Sequence, residues 1–269
     1  MQNLHTHTTL SDGSATPREM ALEAIKRGFS SLGFSDHAKM DFSVGIEFEK
    51  EIYIPEIQRV REEFEGKLEI FIGAELDYYS KGVVDPADYD YTIGSVHFTK
   101  AENGDIIEYD HSPKISLEAI QKYFSGDPYD YARAYYEKVA TLAERFDFDI
   151  VGHFDVLTKY AEKHGGFFDT GSPVYRNMAL EALHAIREKR EIFEVNSGGI
   201  GRGWRRDPYP ERFLLCEMRR LDCKMVITSD CHTPDTLDCN FARSRELLSE
   251  CGFTEVYRLT KSGFVGEKI

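Results

Sequence analysis

Short apolar runs alternate along the chain with longer segments in which apolar residues recur at helical spacing. The short runs are rich in β-branched and aromatic residues, which favours buried strands. Strands that alternate with helices are typical of βα units arranged around a parallel sheet. The predicted strands are Asn3–His5, Ser31–Ser35, Leu68–Glu75, Tyr91–Val96, Asp149–Gly152, Ile192–Val195 and Met225–Thr228.

Four of the longer segments carry a proline near their first turn, where a helix does not need the missing N–H group. Ahead of the first of them, Thr16 and Glu19 have the spacing of a capping box, which predicts a helix start there. The segment Phe98–Asp127 is too long for an ordinary βα connection, so we expect an irregular lid or substrate loop. The four predicted helices are Pro17–Arg27, Pro128–Arg145, Pro173–Lys189 and Pro210–Leu221.

The length of 269 residues suits a single α/β barrel domain that spans residues 1–269. Lys and Arg number 33 against 47 Asp and Glu, and the net charge of −14 disfavours binding to nucleic acid or to anionic membranes. No apolar run reaches the roughly 20 residues of a membrane span, and no signal-peptide pattern follows Met1, so we expect a cytoplasmic location. The five cysteines are odd in number and include no CxxC pair, which favours reduced thiols over disulfides or a cysteine zinc site.

Histidines and carboxylates follow the predicted strands at the points where the strands end. In a closed barrel of parallel strands these ends converge on one face, where such barrels hold their active sites. A single histidine after a strand is more often a loop or core residue than a ligand. Six histidines at equivalent positions are difficult to explain as independent packing events, so the pattern predicts a metal centre. The polar residues at these points are His5, His7, Asp36, His37, Glu75, His97, His153, Asn196, Asp230 and His232.

Two pairs of these residues are two positions apart, namely His5 with His7 and Asp230 with His232. Residues two apart at the end of a strand project from the same side, so each pair can hold one ion. Asp12 lies in the loop that follows and is a further candidate ligand, although its Asp-Gly sequence could also form only a turn. Imidazole with carboxylate suits zinc, iron or manganese better than magnesium or calcium.

Six motifs in order resemble those of the polymerase-and-histidinol-phosphatase superfamily: HTHTTLSDG, GFSDHA, GAELD, IGSVHF, VGHFD and TSDCH. Within it, the most similar proteins are the phosphatases of histidine biosynthesis that act on L-histidinol phosphate, on the evidence of SDHA, IGSVHF, GHFDVLTKY and EVNSGGIGRG. The resemblance covers nearly the whole chain. It implies a distorted (βα)7 TIM-like barrel with a metal site at the C-terminal ends of the strands. It also implies a small phosphomonoester substrate and two to three divalent ions, which could be zinc, manganese or iron.

The resemblance further implies nine metal ligands, with Glu75 as a carboxylate that bridges two ions. Some family members have histidine in the position of Asp12, which leaves the third ion less defined. Catalytic roles are assigned to Glu75, Asp230 and His232. The implied ligands are His5, His7, Glu75 and Asp230 for the first ion, Glu75, His97 and His153 for the second, and Asp12, His37 and His232 for the third.

The expected chemistry is attack on phosphorus by a hydroxide, because adjacent divalent ions lower the pKa of a bridging water towards about 7. Ser95, Lys159 and Arg202 lie beside the motifs and are the candidates for holding the phosphate. Relatives commonly have arginine in the position of Lys159, and lysine cannot provide the same bidentate fork. Arg202 lies among glycines that allow close approach to a ligand, although it could also be a solvated loop cation. The nearby Arg205 could belong to the site or face solvent.

Two other functions stay open at this point. A different phosphomonoesterase or a phosphodiesterase could use the same ions, and only the substrate pocket would distinguish it. A metal-binding module without catalytic activity is the second alternative. Such modules usually lose ligands, whereas this chain keeps the whole set.

Overall fold

Seven parallel strands form a nearly closed barrel in the computed structural model, which describes residues 1–269. The strands are β1 (Gln2–Asn3), β2 (Ser31–Phe34), β3 (Glu69–Asp77), β4 (Tyr91–Ser95), β5 (Phe98–Lys100), β6 (Ile106–Glu108), β7 (Ile150–Val151), β8 (Ile192–Asn196), β9 (Lys224–Thr228), β10 (Glu255–Thr260) and β11 (Gly263–Lys268). The barrel is made by β1–β4 and β7–β9, which pair in chain order. Between its first and last strands, Thr6 bridges to Cys231 in parallel, and His7 N donates to Cys231 O over 2.9 Å. The predicted distorted (βα)7 barrel is confirmed.

Helices connect the barrel strands, and the predicted starts at proline agree with the structure at three of four positions. The exception is α7, which begins two residues after Pro210. The capping box is present, because the Thr16 side chain accepts from the backbone of Glu19 and the Glu19 side chain accepts from the backbone of Thr16. No helix combines the length and the apolar character that a membrane span requires. The helices are α1 (Pro17–Lys26), α2 (Lys50–Glu63), α3 (Pro113–Tyr123), α4 (Pro128–Thr141), α5 (Pro173–Arg187), α6 (Gly198–Gly201), α7 (Arg212–Arg220) and α8 (Phe241–Glu250).

The segment Phe98–Asp127 is not irregular, so that part of the sequence prediction is wrong. It forms the antiparallel hairpin of β5 and β6, followed by α3. The hydroxyl of Ser112 caps α3 by accepting from the backbone N–H of Ile115. The hairpin and the cap are local, whereas Ile107, Tyr109 and Ile120 pack into the main apolar core, so long-range contacts stabilise this connection. It lies against the carboxyl ends of the strands and supplies part of the wall of the site.

The inside of the barrel is apolar at its amino-terminal end and polar above it. Two residues beyond the last apolar inward residue of β4, β8 and β9, the inward positions carry polar side chains. These are Ser95, Glu194 and Thr228. Because alternate residues of a strand share a face, this polar layer lies directly above the apolar one. The charged groups of the site therefore rest on a packed apolar base. That base consists of Leu4, Phe71, Tyr91, Ile93, Ile150, Ile192, Val226 and Leu259.

The amino-terminal end of the barrel is covered by the hairpin of β10 and β11, which the sequence analysis did not predict. Gln2 exchanges two hydrogen bonds with the backbone of Leu259: its Nε2 donates to the carbonyl oxygen over 2.9 Å, and its Oε1 accepts from the amide over 2.8 Å. Leu259 also packs into the apolar base. The hairpin therefore seals the end of the barrel opposite the polar layer.

Candidate metal centre

Glu75 lies at the middle of the site and is 2% exposed. It is an inward residue of β3, and its backbone pairs with His37 across a parallel bridge. Its Oε1 accepts a hydrogen bond from the hydroxyl of Ser95 over 2.7 Å. Five imidazole rings surround the carboxylate. Their nearest nitrogens are His37 Nδ1 at 3.1 Å, His5 Nε2 at 3.3 Å and His7 Nε2 at 3.5 Å from Oε2, and His153 Nε2 at 2.9 Å and His97 Nε2 at 3.4 Å from Oε1.

Asp12 extends the cluster towards the mouth of the barrel. Its Oδ2 lies 3.0 Å from His232 Nε2 and 3.7 Å from His37 Nε2, and its Oδ1 lies 3.4 Å from His7 Nδ1. The loop carboxylate that could have been only a turn residue therefore contacts three histidines of the cluster.

Asp230 joins the two parts of the cluster from the end of β9. Its Oδ1 lies 3.3 Å from His7 Nε2 and 3.8 Å from His5 Nε2. Its φ of 46° is in the left-handed region, which costs a non-glycine residue on the order of 1 kcal/mol. The backbone at Asp230 is therefore held in this conformation by the structure around it.

The nine predicted ligands all lie in this one cluster, and four groups of them bring their ligand atoms within 4.8 Å of one another. The groups divide the residues differently from the three predicted sets, because His7 joins the group around Asp12, and His37 joins Glu75 with His97. The division of the ligands among ions stays a prediction. The groups are His7, Asp12, His37 and His232; His5, His7 and Glu75; His5, His153 and Asp230; and His37, Glu75 and His97.

The carboxylates of the cluster are ionised despite their burial. Burial favours the neutral form of Glu75, but His5, His97 and the other imidazoles hold the pKa of Glu75 well below its ordinary value. Asp230 behaves in the same way: the guanidinium of Arg202 and the imidazole of His5 outweigh burial and hold its pKa well below the usual range. The centre of the site is therefore an anionic pair that favours cations.

The imidazoles respond to the same charges. Burial alone would lower the pKa of His7 and His97, but the nearby carboxylates raise the pKa of His7 to about 9 and that of His97 to about 10. His232 is different, because burial, His7 and Arg202 lower its pKa to about 4. A bound metal ion would replace the protons on His7 and His97, since ligation requires the neutral ring.

Several ligand atoms of the cluster fit a metal ion because they are buried and have no hydrogen-bond partner. They include His5 Nε2, both ring nitrogens of His7, and Oε2 of Glu75. Buried polar atoms without a partner are costly and uncommon in folded proteins. Imidazole nitrogens and carboxylate oxygens at this spacing are the donor set that zinc, iron and manganese share. The residues therefore fit divalent transition-metal ions.

Two cations lie beside the cluster, as predicted for Lys159 and Arg202. Lys159 is 6% exposed, and its Nζ donates to the carbonyl oxygen of Asp110 over 2.7 Å and lies 3.2 Å from the carboxylate of Asp110. Arg202 donates to both carboxylate oxygens of Asp230 over 3.2 Å. Both cations line the cavity whose floor includes Glu75. Ser95 does not line it, and its hydrogen bond to Glu75 favours a role in orienting that carboxylate, so its predicted contact with phosphate stays a prediction.

Several residues of the site were missed by the sequence analysis. Asp110, with Glu108 and His111, belongs to the segment after β4 and lines the cavity. Asp77 accepts from the backbone N–H of His97 over 2.8 Å, and Glu194 lies 2.9 Å from His5 Nδ1. The last two could have been found, because each is a carboxylate at an inward position of an otherwise apolar strand.

Comparison with known proteins identifies the family and the fold. The family model described as the PHP domain matches residues 3–198. A protein of Deinococcus radiodurans named a probable histidinol-phosphatase is 30% identical over 96% of both chains. The histidinol-phosphatase of Lactococcus lactis subsp. lactis is 27% identical over 94% of this chain and 91% of its own. A crystal structure of histidinol phosphate phosphatase from that organism, complexed with zinc, L-histidinol and phosphate, has the same fold, with a TM-score of 0.75 at 23% identity over 98% of each chain.

Proposed function

We propose, since the chain belongs to the PHP domain family, that it is a histidinol-phosphatase: it hydrolyses L-histidinol phosphate to L-histidinol and phosphate. The observation that carries the proposal is the meeting of nine candidate metal ligands in one cluster, six of which line a cavity together with two cations. Relatives named histidinol-phosphatase match along nearly the whole chain. The reaction belongs to histidine biosynthesis. The cytoplasmic location and the single-domain organisation stay predictions.

The cavity suits a small substrate. Its volume is about 260 Å³, near the lower end of the range of roughly 300 to 1,000 Å³ that small-molecule sites span. Phe98 at the start of the hairpin, Met40 and Ile46 are the apolar residues of its wall beside Ala38, and Met40 and Phe98 belong to one apolar cluster. A nucleic-acid strand would need an open groove with a basic lining, whereas this cavity is lined by carboxylates and imidazoles.

The metal ligands are the nine residues of the cluster, and Glu75 is the carboxylate best placed to bridge two ions. Its two oxygens face different histidines: Oε1 faces His97 and His153, whereas Oε2 faces His5 and His37. When bound, adjacent divalent ions neutralise phosphate charge and supply a shared hydroxide nucleophile by lowering the pKa of water towards about 7. The number of ions, two or three, and the choice among zinc, manganese and iron belong to this proposal.

Lys159 and Arg202 hold the phosphate group of the substrate in this proposal. The carbonyl of Asp110 fixes the ammonium of Lys159, so that cation loses little freedom when phosphate binds. The guanidinium of Arg202 is planar and can hold two phosphate oxygens at once. Burial works against its charge, but Asp230 and Asp110 raise the pKa of Arg202 above its ordinary value, so it stays cationic as phosphorus develops equatorial charge.

A panel of phosphate esters tests the proposal. L-histidinol phosphate, nucleotides, sugar phosphates and a generic phosphodiester are compared with zinc, manganese or iron added singly. We expect the highest kcat/KM for L-histidinol phosphate and no activity after chelation. A higher kcat/KM for the diester or for another monoester would overturn the substrate assignment. A complete lack of turnover with every ester and metal would favour a binding module instead.

A further inference from the structure

We infer that Glu194 is a positioning residue for the metal centre: it holds His5 in the one tautomer that offers Nε2 to an ion. The inference rests on the proposed metal site, but it does not depend on which phosphate ester is the substrate. Glu194 is an inward residue of β8 and is fully buried. It belongs to none of the groups whose atoms could ligate an ion together.

Four groups lie within hydrogen-bond distance of the carboxylate of Glu194, two at each oxygen. Oε1 accepts from the backbone N–H of His153 over 2.5 Å and from Nδ2 of Asn196 over 2.8 Å. Oε2 accepts from the hydroxyl of Thr228 over 2.8 Å and lies 2.9 Å from Nδ1 of His5. Three of these groups, the backbone N–H, the amide and the hydroxyl, donate to the carboxylate, which favours its ionised form, and an ionised carboxylate can only accept. The hydrogen bond with His5 must therefore be donated by the imidazole.

The proton on Nδ1 decides what the other nitrogen of His5 can do. In the neutral ring one nitrogen carries the proton and the other has a free lone pair, so Nε2 is left free. Nε2 is buried, has no hydrogen-bond partner and lies 3.3 Å from Oε2 of Glu75. A carboxylate that accepts from the far nitrogen of a ligating histidine fixes the ring and strengthens it as a ligand. Glu194 occupies that place for His5, and through His153 N it also fixes the backbone of a second ligand.

Glu194→Gln tests this role because glutamine has almost the same shape but must donate from one end. The backbone N–H of His153 cannot accept, so the amide NH₂ group is driven to the position of Oε2. At that position the NH₂ group donates one hydrogen bond to the hydroxyl of Thr228, which can turn to accept it. It donates the other to Nδ1 of His5, which must then accept. The proton of the ring then moves to Nε2 and blocks the ligand atom.

The matched control is Asp149→Asn. Asp149 is an exposed carboxylate just before β7, where it accepts from the backbone N–H of Thr92 over 2.8 Å. This variant loses one negative charge, as Glu194→Gln does, but at the end of the barrel that is remote from the metal centre. Zinc affinity is measured by competition with a chelator of known affinity, and folding is measured by thermal unfolding of the metal-free proteins.

We expect the zinc affinity of Glu194→Gln to fall by about 10- to 100-fold, and that of Asp149→Asn to stay within about twofold. An unchanged affinity in folded Glu194→Gln, or an equal loss in both variants, would overturn the inference. If Glu194→Gln does not fold, the zinc-loaded wild-type protein decides. Nitrogen NMR of labelled histidine should show His5 protonated at Nδ1 and bound through Nε2, and the reverse assignment would refute the role of Glu194.

A second observation concerns the outer surface of the barrel, where Cys216 on α7 lies next to Cys251 at the end of α8. Their sulfur atoms are 3.2 Å apart, and Cys216 is exposed. Burial raises the pKa of Cys251 to about 12, as it does for Cys223 and Cys231, so the exposed thiol of Cys216 is the one placed to react first with an oxidant. We propose that Cys216 and Cys251 form an intramolecular disulfide under thiol oxidation, although all five cysteines are free in the structure.

With glutathione disulfide as oxidant, the Cys216 thiolate attacks one sulfur and releases one glutathione thiolate. Cys251, once deprotonated, attacks the Cys216 sulfur of the mixed disulfide and releases the second. The two thiols lose two protons and two electrons, and glutathione disulfide is reduced to two glutathione thiols. Mass spectrometry of the oxidised folded protein should find a peptide linked through Cys216 and Cys251. In Cys251→Ser, Cys216 should instead keep bound glutathione, whereas Cys239→Ser should still form the link. Stable glutathione on Cys216 in the wild-type protein would overturn the proposal.

Discussion

Replacing Glu75 by glutamine is the sharpest test of the metal centre. The change keeps the size of the side chain and removes one negative charge from a group that is 2% exposed. The amide would also place a donor against imidazole nitrogens that lie 2.9 to 3.5 Å from the carboxylate oxygens. Both effects act on the ions that these histidines would hold.

The size of the effect follows from the distances. An ion shared by these nitrogens would lie within about 4 Å of the carboxylate, where unit charges interact by roughly 4 kcal/mol at an effective dielectric constant of about 20. If the amide recovers about a third of that, about 2.7 kcal/mol is lost, which is roughly a hundredfold in rate. We therefore expect turnover to fall by at least about a hundredfold, together with a lower metal content.

The assay combines elemental analysis of the purified protein with kcat for L-histidinol phosphate at saturating zinc or manganese. Glu69→Gln is the matched control, because Glu69 begins the same strand at its other end and contacts none of the proposed ligands. The control should keep its metal and its turnover. Full metal content with kcat within about threefold of wild type in Glu75→Gln would refute the reasoning and make Glu75 a structural residue.

Three further predictions concern metal content, phosphate binding and the barrel interior. Protein prepared without chelator should contain two to three divalent ions per chain by elemental analysis; less than one ion, with no activation by zinc, manganese or iron, would contradict the model. Arg202→Ala should keep its metals but lose 10- to 1,000-fold in kcat/KM, roughly 1.4 to 4 kcal/mol. Lys159→Ala should lose less, because the point charge of a lysine holds phosphate in a less organised way than the fork of a guanidinium. Unchanged kinetics in Arg202→Ala would make Arg202 a solvated loop cation. A Cβ atom on Gly73 would lie 2.3 Å from Cζ of Tyr91, so Gly73→Ala should lower the free energy of unfolding in urea by about 1 to 3 kcal/mol. Gly165→Ala meets nothing within 4 Å and should leave it unchanged.

The alternation of strands and helices could be predicted from the sequence because both patterns are local. Buried strands are short apolar runs, and the helix starts carry proline and capping residues within one turn. The positions of His5, His7 and Asp230 at strand ends could be predicted for the same reason, since a strand end is visible in the sequence itself. That these residues meet in one cluster could be inferred because the ends of parallel strands converge in a barrel.

Other features depended on the tertiary structure. The segment Phe98–Asp127 was expected to be irregular, but its hairpin and helix are stabilised by contacts with the rest of the barrel. Arg205 could have faced solvent, yet it is 4% exposed, donates to Thr158 and pairs with Glu211. The burial of this loop cation results from long-range packing, so it cannot be predicted from a local sequence pattern.

The chemical groups of the site can be identified from the amino-acid sequence alone, because ligand types and strand ends are local properties. How those groups contact one another depends on the packing of the whole chain. His5 and Glu194 are 189 residues apart and lie in hydrogen-bond contact, and His153 lies 2.9 Å from Glu75 across 78 residues. Those contacts exist only because closing the barrel brings inward positions of different strands to one level, and the register between strands is set by pairing that a single strand does not encode.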